Sequence, residues 1–295
     1  MVKKESVFIS AVLYLSDYTK DVEKFTKNLL DGLRDYFQHY EVIIVNDCTV
    51  KHENFLEEVL PSLGDSTITV VHMSVKQGIE ACLRAGLDVS IGDFVFEFDT
   101  LEFIFEKKLL WDVYQEALKG NDVVSVETKN NSFSRKMFYN LFNKYSNANY
   151  EINASVFRLV SRRAINRVLE LNMSSSFRQA VYASCGLKNS KVEYEGSASS
   201  KKARDFNLAI DSFLLYTDLG KKVSNIAILL NGLLLIAGIV SSFIVQLGWL
   251  YKLTITFSIT LAVIYLILTL NYLRLSLRSK DNKYLISNIE KIQKR

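Results

Sequence analysis

The spacing of apolar side chains divides the chain into two regimes. Over the first hundred residues, short apolar runs alternate with stretches of helical period. "SVFISAVLYL" (6–15), "YEVIIVND" (40–47), "STITVVHM" (66–73) and "DFVFEF" (93–98) read as strands. Between them, "DVEKFTKNLLDGLRDYF" (21–37) sets Val22, Phe25, Leu29 and Leu33 on one helical face, and "ENFLEEVLPSL" (53–63) and "GIEACLRAGLDVS" (78–90) read as further helices. This alternation predicts a parallel sheet with helices on both faces. In such sheets the ligand crevice lies outside the carboxyl ends of the strands. Asp47 and Asp99 both stand at strand ends.

The pattern then loosens. "LLWDVYQEALKGNDVVSVE" (109–127) is a helix and a strand, residues 128–134 form a polar Asn/Ser loop, and "RKMFYNLFNKY" and "RRAINRVLEL" are helices. "EGSASSKKARDF" reads as a linker, and "NLAIDSFLLYTDLGKK" as an amphipathic helix lying on a membrane surface. The second regime follows. No charged residue lies between Lys222 and Lys252, and none between Lys252 and Arg274. Each interval holds a helix of about 20 apolar residues, enough to span a bilayer. The predicted organisation is a domain over 1–200, an amphipathic segment over 201–222, spans at 223–247 and 251–273, and a basic tail over 274–295.

Composition is ordinary, with 49% hydrophobic and 23% charged residues in 295. Charge placement adds more. The net charge is +4, whereas residues 274–295 alone carry seven Lys/Arg against two Asp/Glu. The excess sits beside the second span, where anionic headgroups attract it, so nucleic acid is not the partner this basicity implies. Lys221 and Lys222 before the first span, and Arg274, Arg278 and Lys280 after the second, place both chain ends on the cytoplasmic side of an inner membrane. Trp249 and Tyr251 suit the opposite interface. "MVKKESVFISAVLYLSD" mimics a signal peptide but has a short apolar run and no small-residue cleavage site, so a first strand is the expectation. Cys48, Cys82 and Cys185 are too widely spaced for a zinc site and fit a reducing compartment. His39, His52 and His72 have no metal-ligand spacing.

No Gly-x-Gly-x-x-Gly follows the first strand and no Gly-Lys-Ser/Thr loop occurs, which sets aside dinucleotide and P-loop chemistry. "QGIEACLRAGLDVSIGD" (77–93), with Gly78, Glu80, Ala81, Ala85, Gly86, Leu87, Asp88, Gly92 and Asp93, resembles the family 2 glycosyltransferases of GT-A fold. The branch it looks like is that of the polyprenyl-phosphate sugar transferases, which includes dolichyl-phosphate mannose synthase and the bactoprenol glucosyltransferases. "VNDCT" (45–49) is similar to that family's Val-Asp-Asp-Gly-Ser, and "VFRLVSRRAI" (156–165) to its Asp-Phe-Arg-Leu block. The paired spans and the tail "KYLISNIEK" also match the branch.

The resemblance implies an α/β, Rossmann-like GT-A domain followed by a two-helix transmembrane hairpin. It implies transfer of a sugar, with inversion, from a nucleotide-sugar donor to a polyprenyl phosphate for cell-surface glycans of a bacterial type. Tyr14, Asp47 and Asp99 become nucleotide-binding candidates, and Lys129, Arg135 and Arg158 candidates for the acceptor phosphate. The family's Asp-x-Asp holds a divalent cation, Mg2+ or Mn2+, and its first residue carries over to Asp99. The second is Leu101 here, and the aspartate that would serve as base is Val156. Glu97 lies two residues before Asp99, so on a strand the two side chains point the same way and form a shifted acidic pair. Leucine offers no oxygen to a hard cation. A polyprenyl phosphate is already an oxyanion and needs no base, so no catalytic residue is identified. The alternative is a relative that keeps fold and anchor without chemistry and acts as a binding or assembly subunit. A processive synthase would need a Gln-x-x-Arg-Trp motif, which the chain lacks. The family's tail exchanges between subunits, which leaves a homo-oligomer open.

Overall fold

The computed structural model describes residues 4–63, 67–128, 133–146, 148–170, 177–194, 215–217, 219–243, 248–280 and 284–292. Its centre is an eight-stranded mixed sheet in the order β7-β5-β6-β4-β1-β2-β3-β8. β1 (Glu5–Leu15), β2 (Phe37–Asn46), β3 (Ile68–Met73) and β4 (Phe94–Phe98) are parallel, with β1 between β2 and β4. These are the strands expected from the apolar runs. They read as nearly continuous hydrophobic segments because helices bury both of their faces.

Strand alternation sorts the side chains. Ile9, Ala11, Leu13, Ile44, Phe96 and Phe98 face α1 (Val22–Tyr36) and α4 (Lys108–Leu118) in one apolar cluster. Val12, Ile43, Val45 and Val95 face α3 (Ile79–Val89) in the other. The region of "ENFLEEVLPSL" is a wide helical turn, Phe55–Val59, running into the short α2 (Leu60–Ser62).

Beyond α4 the sheet changes direction. β6 (Ser155–Ser161) runs antiparallel between β4 and β5 (Val123–Thr128), and β7 (Asn189–Tyr194) forms the edge beside β5. α5 (Phe133–Tyr145), α6 (Arg162–Glu170) and α7 (Arg178–Ser184) belong to this half. The opposite edge is closed by the end of the chain, as β8 (Ile286–Lys291) pairs antiparallel with β3. β7, α7 and β8 carry no strong apolar period and are not in the sequence-based element list, nor is β6, whose run the sequence reading takes only as a motif.

Two helices separate β7 from β8, Leu219–Ser242 and Gly248–Lys280. At 1.5 Å per residue each exceeds about 30 Å, the thickness of a hydrocarbon core. Among the described residues one apolar stretch is long enough to cross a membrane, Tyr251–Leu270, with a mean hydropathy of 2.3; that of Asn225–Val240 is shorter. The two helices pack together. Asn231 Nδ2 donates to the Ser258 carbonyl at 3.3 Å and Asn231 Oδ1 accepts from the Ser258 hydroxyl. Residues 201–214 of the expected amphipathic segment lie outside the described residues, as do 244–247 between the helices.

Candidate functional site

β1, β2 and β4 bring their carboxyl ends to one rim of the sheet, and two buried polar clusters lie there. The first is built on Asp47, which follows β2 directly and is fully buried. Its Oδ1 accepts the Gln77 N–H at 2.7 Å, and its Oδ2 accepts the Gly78 N–H and the Tyr14 hydroxyl, each at 3.0 Å. Gly78 caps α3 with φ +83°, a left-handed conformation that side chains disfavour. Asp47 therefore fixes the turn that starts α3. Burial, together with the negative charge of Asp47, pushes the Tyr14 phenol well above its ordinary range, so Tyr14 is a neutral donor here. Asn46, where the family has an acid, holds the loop locally. Its Oδ1 accepts the Thr49 N–H at 3.1 Å and its amide lies 3.3 Å from His72 Nδ1.

The second cluster is built on β4. Glu97 and Asp99 point the same way, as strand alternation requires, and both meet arginines. Arg158, opposite Glu97 across the β4–β6 ladder, donates from Nη1 to Glu97 at 2.9 Å and from Nη2 to Asp99. Arg178, at the start of α7, reaches Glu97 at 3.2 Å, Asp99 at 3.1 Å and Glu80 of α3 at 2.6 Å. The Tyr182 hydroxyl donates to the other Glu97 oxygen. Side-chain exposure is 0% for Glu97, 1% for Arg158 and 12% for Asp99. Burial alone would lower both arginines. The facing carboxylates outweigh it and hold both guanidiniums above their ordinary value, so both stay charged. Three carboxylates against two guanidiniums leave the cluster one negative charge in excess, and Asp99 alone of the Glu97–Asp99 pair keeps an edge to solvent.

The positions where the family's acids are missing are apolar core. Leu101 is 3% exposed and belongs to the same cluster as Phe98, Phe103, Phe105 and Val156. Phe98 stacks on Phe157 with centroids 4.9 Å apart, and Phe103 on Phe157 at 5.8 Å. Both substitutions thus feed one aromatic core under the rim. A divalent cation does not fit the residues present. Glu97 is closed off, Leu101 faces the core, and the described residues contain no group of three His, Cys, Asp or Glu able to hold a metal. The expected Glu97–Asp99 metal pair is instead an arginine-bound pair, because two guanidiniums already occupy its oxygens.

The remaining candidates are scattered. Arg158 lies within the sheet, and Arg135 is half-buried on α5. Lys129 falls outside the described residues. Sequence reasoning missed Arg178, Glu80 as its partner, and Tyr182. The one available signal was the arginine in "SFRQAVYAS", which interrupts an otherwise weakly polar helix.

No family model matches the chain. Sequence relatives do. An uncharacterized glycosyltransferase of Synechocystis is 23% identical over 231 residues, covering 74% of this chain and 72% of the relative. A prophage bactoprenol glucosyl transferase homolog of Escherichia coli is 25% identical over 197 residues, 63% of this chain and 62% of that protein. The bactoprenol glucosyl transferase of Shigella phage SfX is 26% identical, and the match spans 52% of each chain. The chain thus spans only about half to three-quarters of the length of these relatives. Among solved structures, glucosyl-3-phosphoglycerate synthase of Mycobacterium tuberculosis, in complex with Mn2+, UDP and phosphoglyceric acid, superposes with a TM-score of 0.52 at 14% identity, covering 71% of this chain and 77% of that one. A mannosyltransferase of Pyrobaculum calidifontis, in complex with GDP-mannose and Mn2+, gives 0.50 at 14% identity, over 72% of this chain and 63% of that one. The fold is the mixed α/β, Rossmann-like GT-A fold of nucleotide-sugar glycosyltransferases, and the sequence relatives are named as glycosyltransferases, bactoprenol glucosyl transferases among them.

Proposed function

We propose that this chain is a membrane-anchored glycosyltransferase that moves a sugar from a nucleotide-sugar donor to a polyprenyl phosphate at the cytoplasmic membrane face. The observation that carries the reading is the Asp47-organised turn at Gln77 and Gly78 standing at the same strand-end rim as Asp99. Relatives named as bactoprenol glucosyl transferases support the lipid-carrier class of acceptor. In this reading Tyr14, Asp47 and Asp99 shape the nucleotide end of the crevice. Lys129 and Arg135 serve the acceptor phosphate, while Arg158 acts from inside the sheet by holding Asp99. Orienting two bound reactants already removes much of the barrier to their reaction. A phosphate oxyanion acceptor attacks the anomeric carbon without prior deprotonation, so Val156 in place of a base is no obstacle.

The two-helix hairpin is part of the proposal. The chain leaves the sheet after β7, passes through both long helices, and returns to the same sheet as β8. A chain that returns to its own sheet has crossed any intervening membrane an even number of times, which favours two spans with the domain and tail on one side. The test is transfer itself. Membranes containing the full chain, given radiolabelled nucleotide sugars and undecaprenyl phosphate, are expected to yield a labelled lipid that is lost in Asp99→Ala. Absence of labelled lipid with every donor would remove the transferase reading.

A second reading, a chemically silent relative that serves as a membrane-bound assembly subunit, is favoured by one observation. The arginine-bound Glu97–Asp99 pair and the apolar Leu101 and Val156 replace a metal site and a base with packed structure.

A further inference from the structure

α5 is apolar on two opposite faces. On one, Tyr139 and Phe142 are buried and pack with Phe177 in a small core of their own. On the other, Phe133, Met137 and Leu141 follow one another at intervals of four, the spacing that keeps side chains on one helical face. They are 82%, 52% and 38% exposed. A helix that buries one face in a globular core ordinarily turns polar residues to water on the other. A row of large apolar side chains in their place marks a contact with protein or membrane.

Charge and position select the membrane. No Asp or Glu occurs between Glu127 and Glu151, and that stretch holds Lys129, Arg135, Lys136 and Lys144. Lys136 and Lys144 are exposed on α5 itself. An apolar row among lysines fits an anionic lipid surface: the ring, thioether and leucine enter the acyl boundary while the lysine stems reach the headgroups. The end of α5 also meets the approach to the first long helix. Ser146 bridges Thr217 in antiparallel fashion, and Lys222 Nζ lies 5.4 Å from the centroid of the Tyr145 ring. The helix Leu219–Ser242 starts at that point. α5 follows β5, which runs parallel to β4 and so ends at the same rim as the candidate site.

We propose that the Phe133–Met137–Leu141 face of α5 docks on the anionic lipid surface beside the first long helix. This rests on the membrane anchoring proposed above and not on sugar transfer; a silent relative would dock equally. The long helices attach the domain at one place and leave it free to pivot. Docking of α5 adds a second attachment, which turns the strand-end rim towards the headgroups and fixes the domain's orientation.

The test is spin-label accessibility on the full chain, reconstituted in vesicles of phosphatidylethanolamine and phosphatidylglycerol. In a Cys48→Ser background the remaining native cysteines are buried. Nitroxides are attached singly at Phe133→Cys, Met137→Cys and Leu141→Cys. Val263→Cys, exposed on the second long helix, and Ile91→Cys, exposed just ahead of β4 at the opposite end of the sheet, are the references. Oxygen partitions into lipid and a nickel chelate into water, while protein contact excludes both. The oxygen-to-nickel collision ratio is expected to be several-fold higher on α5 than at Ile91. It should stay below that at Val263, since an interfacial helix enters the bilayer by only about 5–10 Å. Exchanging phosphatidylglycerol for phosphatidylcholine is expected to lower the α5 ratio and leave that at Val263 unchanged. A lipid-like Val263 with α5 no different from Ile91 would overturn the docking and leave the anchor standing. Exclusion of both reagents from α5 would overturn it in favour of a protein contact, such as a second copy of the chain. An α5 ratio indifferent to phosphatidylglycerol would overturn the choice of an anionic surface. A water-like Val263 would remove the membrane anchoring, and this inference with it.

Discussion

Replacing Asp47 with alanine removes the acceptor for two backbone N–H groups and the Tyr14 hydroxyl at once. Because Gln77 and Gly78 are half-buried and water can reach them, the expected loss is about 2 kcal/mol of stability rather than the sum of three buried bonds. Nucleotide binding should fall with it, and a melting curve with and without nucleotide reads both. The Arg158–Glu97 pair behaves differently because it is dry. Arg158→Met takes one of two guanidiniums from a carboxylate that is 0% exposed and should cost about 3 kcal/mol, and adding Glu97→Leu should recover little of that, because Arg178 and the Tyr182 hydroxyl then lose their own buried partner. A double variant as stable as the parent would show that Glu97 serves Arg158 alone. Leu101→Asp, which rewrites the missing acid, should destabilise by more than about 3 kcal/mol, since the position lies in the phenylalanine core. Asp99 and the replacement at Leu101 were legible in the sequence. What Leu101 does instead, and the arginines that meet Glu97, were not, because Arg178 reaches β4 from a helix about 80 residues later in the chain. Glu127 supplies a pH test. Burial raises its carboxyl above the ordinary range, against the Asn153 hydrogen bond and the Lys191 charge. A raised folded value favours stability at low pH and withdraws it as pH rises through that value. Glu127→Gln should therefore melt higher than the parent at neutral pH, with the difference vanishing in acid.

At the level of elements, the parallel core was readable because strands buried on both faces leave continuous apolar runs, as in "YEVIIVN". β7 and β8 are edge strands, and edges carry charge and lack a second buried face, so "NSKVEY" and "ISNIEK" leave no such signature. β8 nevertheless has specific bonds. The Gln77 side chain both donates to the Leu285 carbonyl at 2.8 Å and accepts its N–H at 3.0 Å, and the Tyr284 hydroxyl donates to Asp88 at 2.6 Å. Since Gln77 also gives its N–H to Asp47, the tail is tied to the turn at the candidate site. Truncation after Lys280 should lower the melting midpoint and promote association through the uncovered β3 edge, measured by light scattering. Gly92→Ala should also destabilise, by about 1–3 kcal/mol, since an added methyl would sit 2.5 Å from the Ser10 backbone nitrogen.

For the whole molecule, the uncharged intervals of the sequence correspond to two helices packed through Asn231 and Ser258, and among the described residues one apolar stretch, Tyr251–Leu270, is long enough to cross a membrane; the two-span hairpin is part of the proposed function. The three native cysteines offer a labelling experiment, because Cys48 is exposed whereas Cys82 and Cys185 are buried. An impermeant maleimide should label Cys48 only after intact cells are permeabilised, and a cysteine introduced as Trp249→Cys should label before it. The most direct test of the central claim is a thermal-shift titration of detergent-purified full chain with UDP, GDP, CDP and their sugar forms, each with EDTA and with Mn2+. A ligand that binds only the folded state raises its stability by RT ln(1 + [L]/Kd). The account predicts a shift with one nucleoside diphosphate that persists in EDTA, because the chain's own carboxylates are held by arginines, and that is lost in Asp47→Ala. No shift with any nucleotide, from a sample that melts cooperatively, would contradict it.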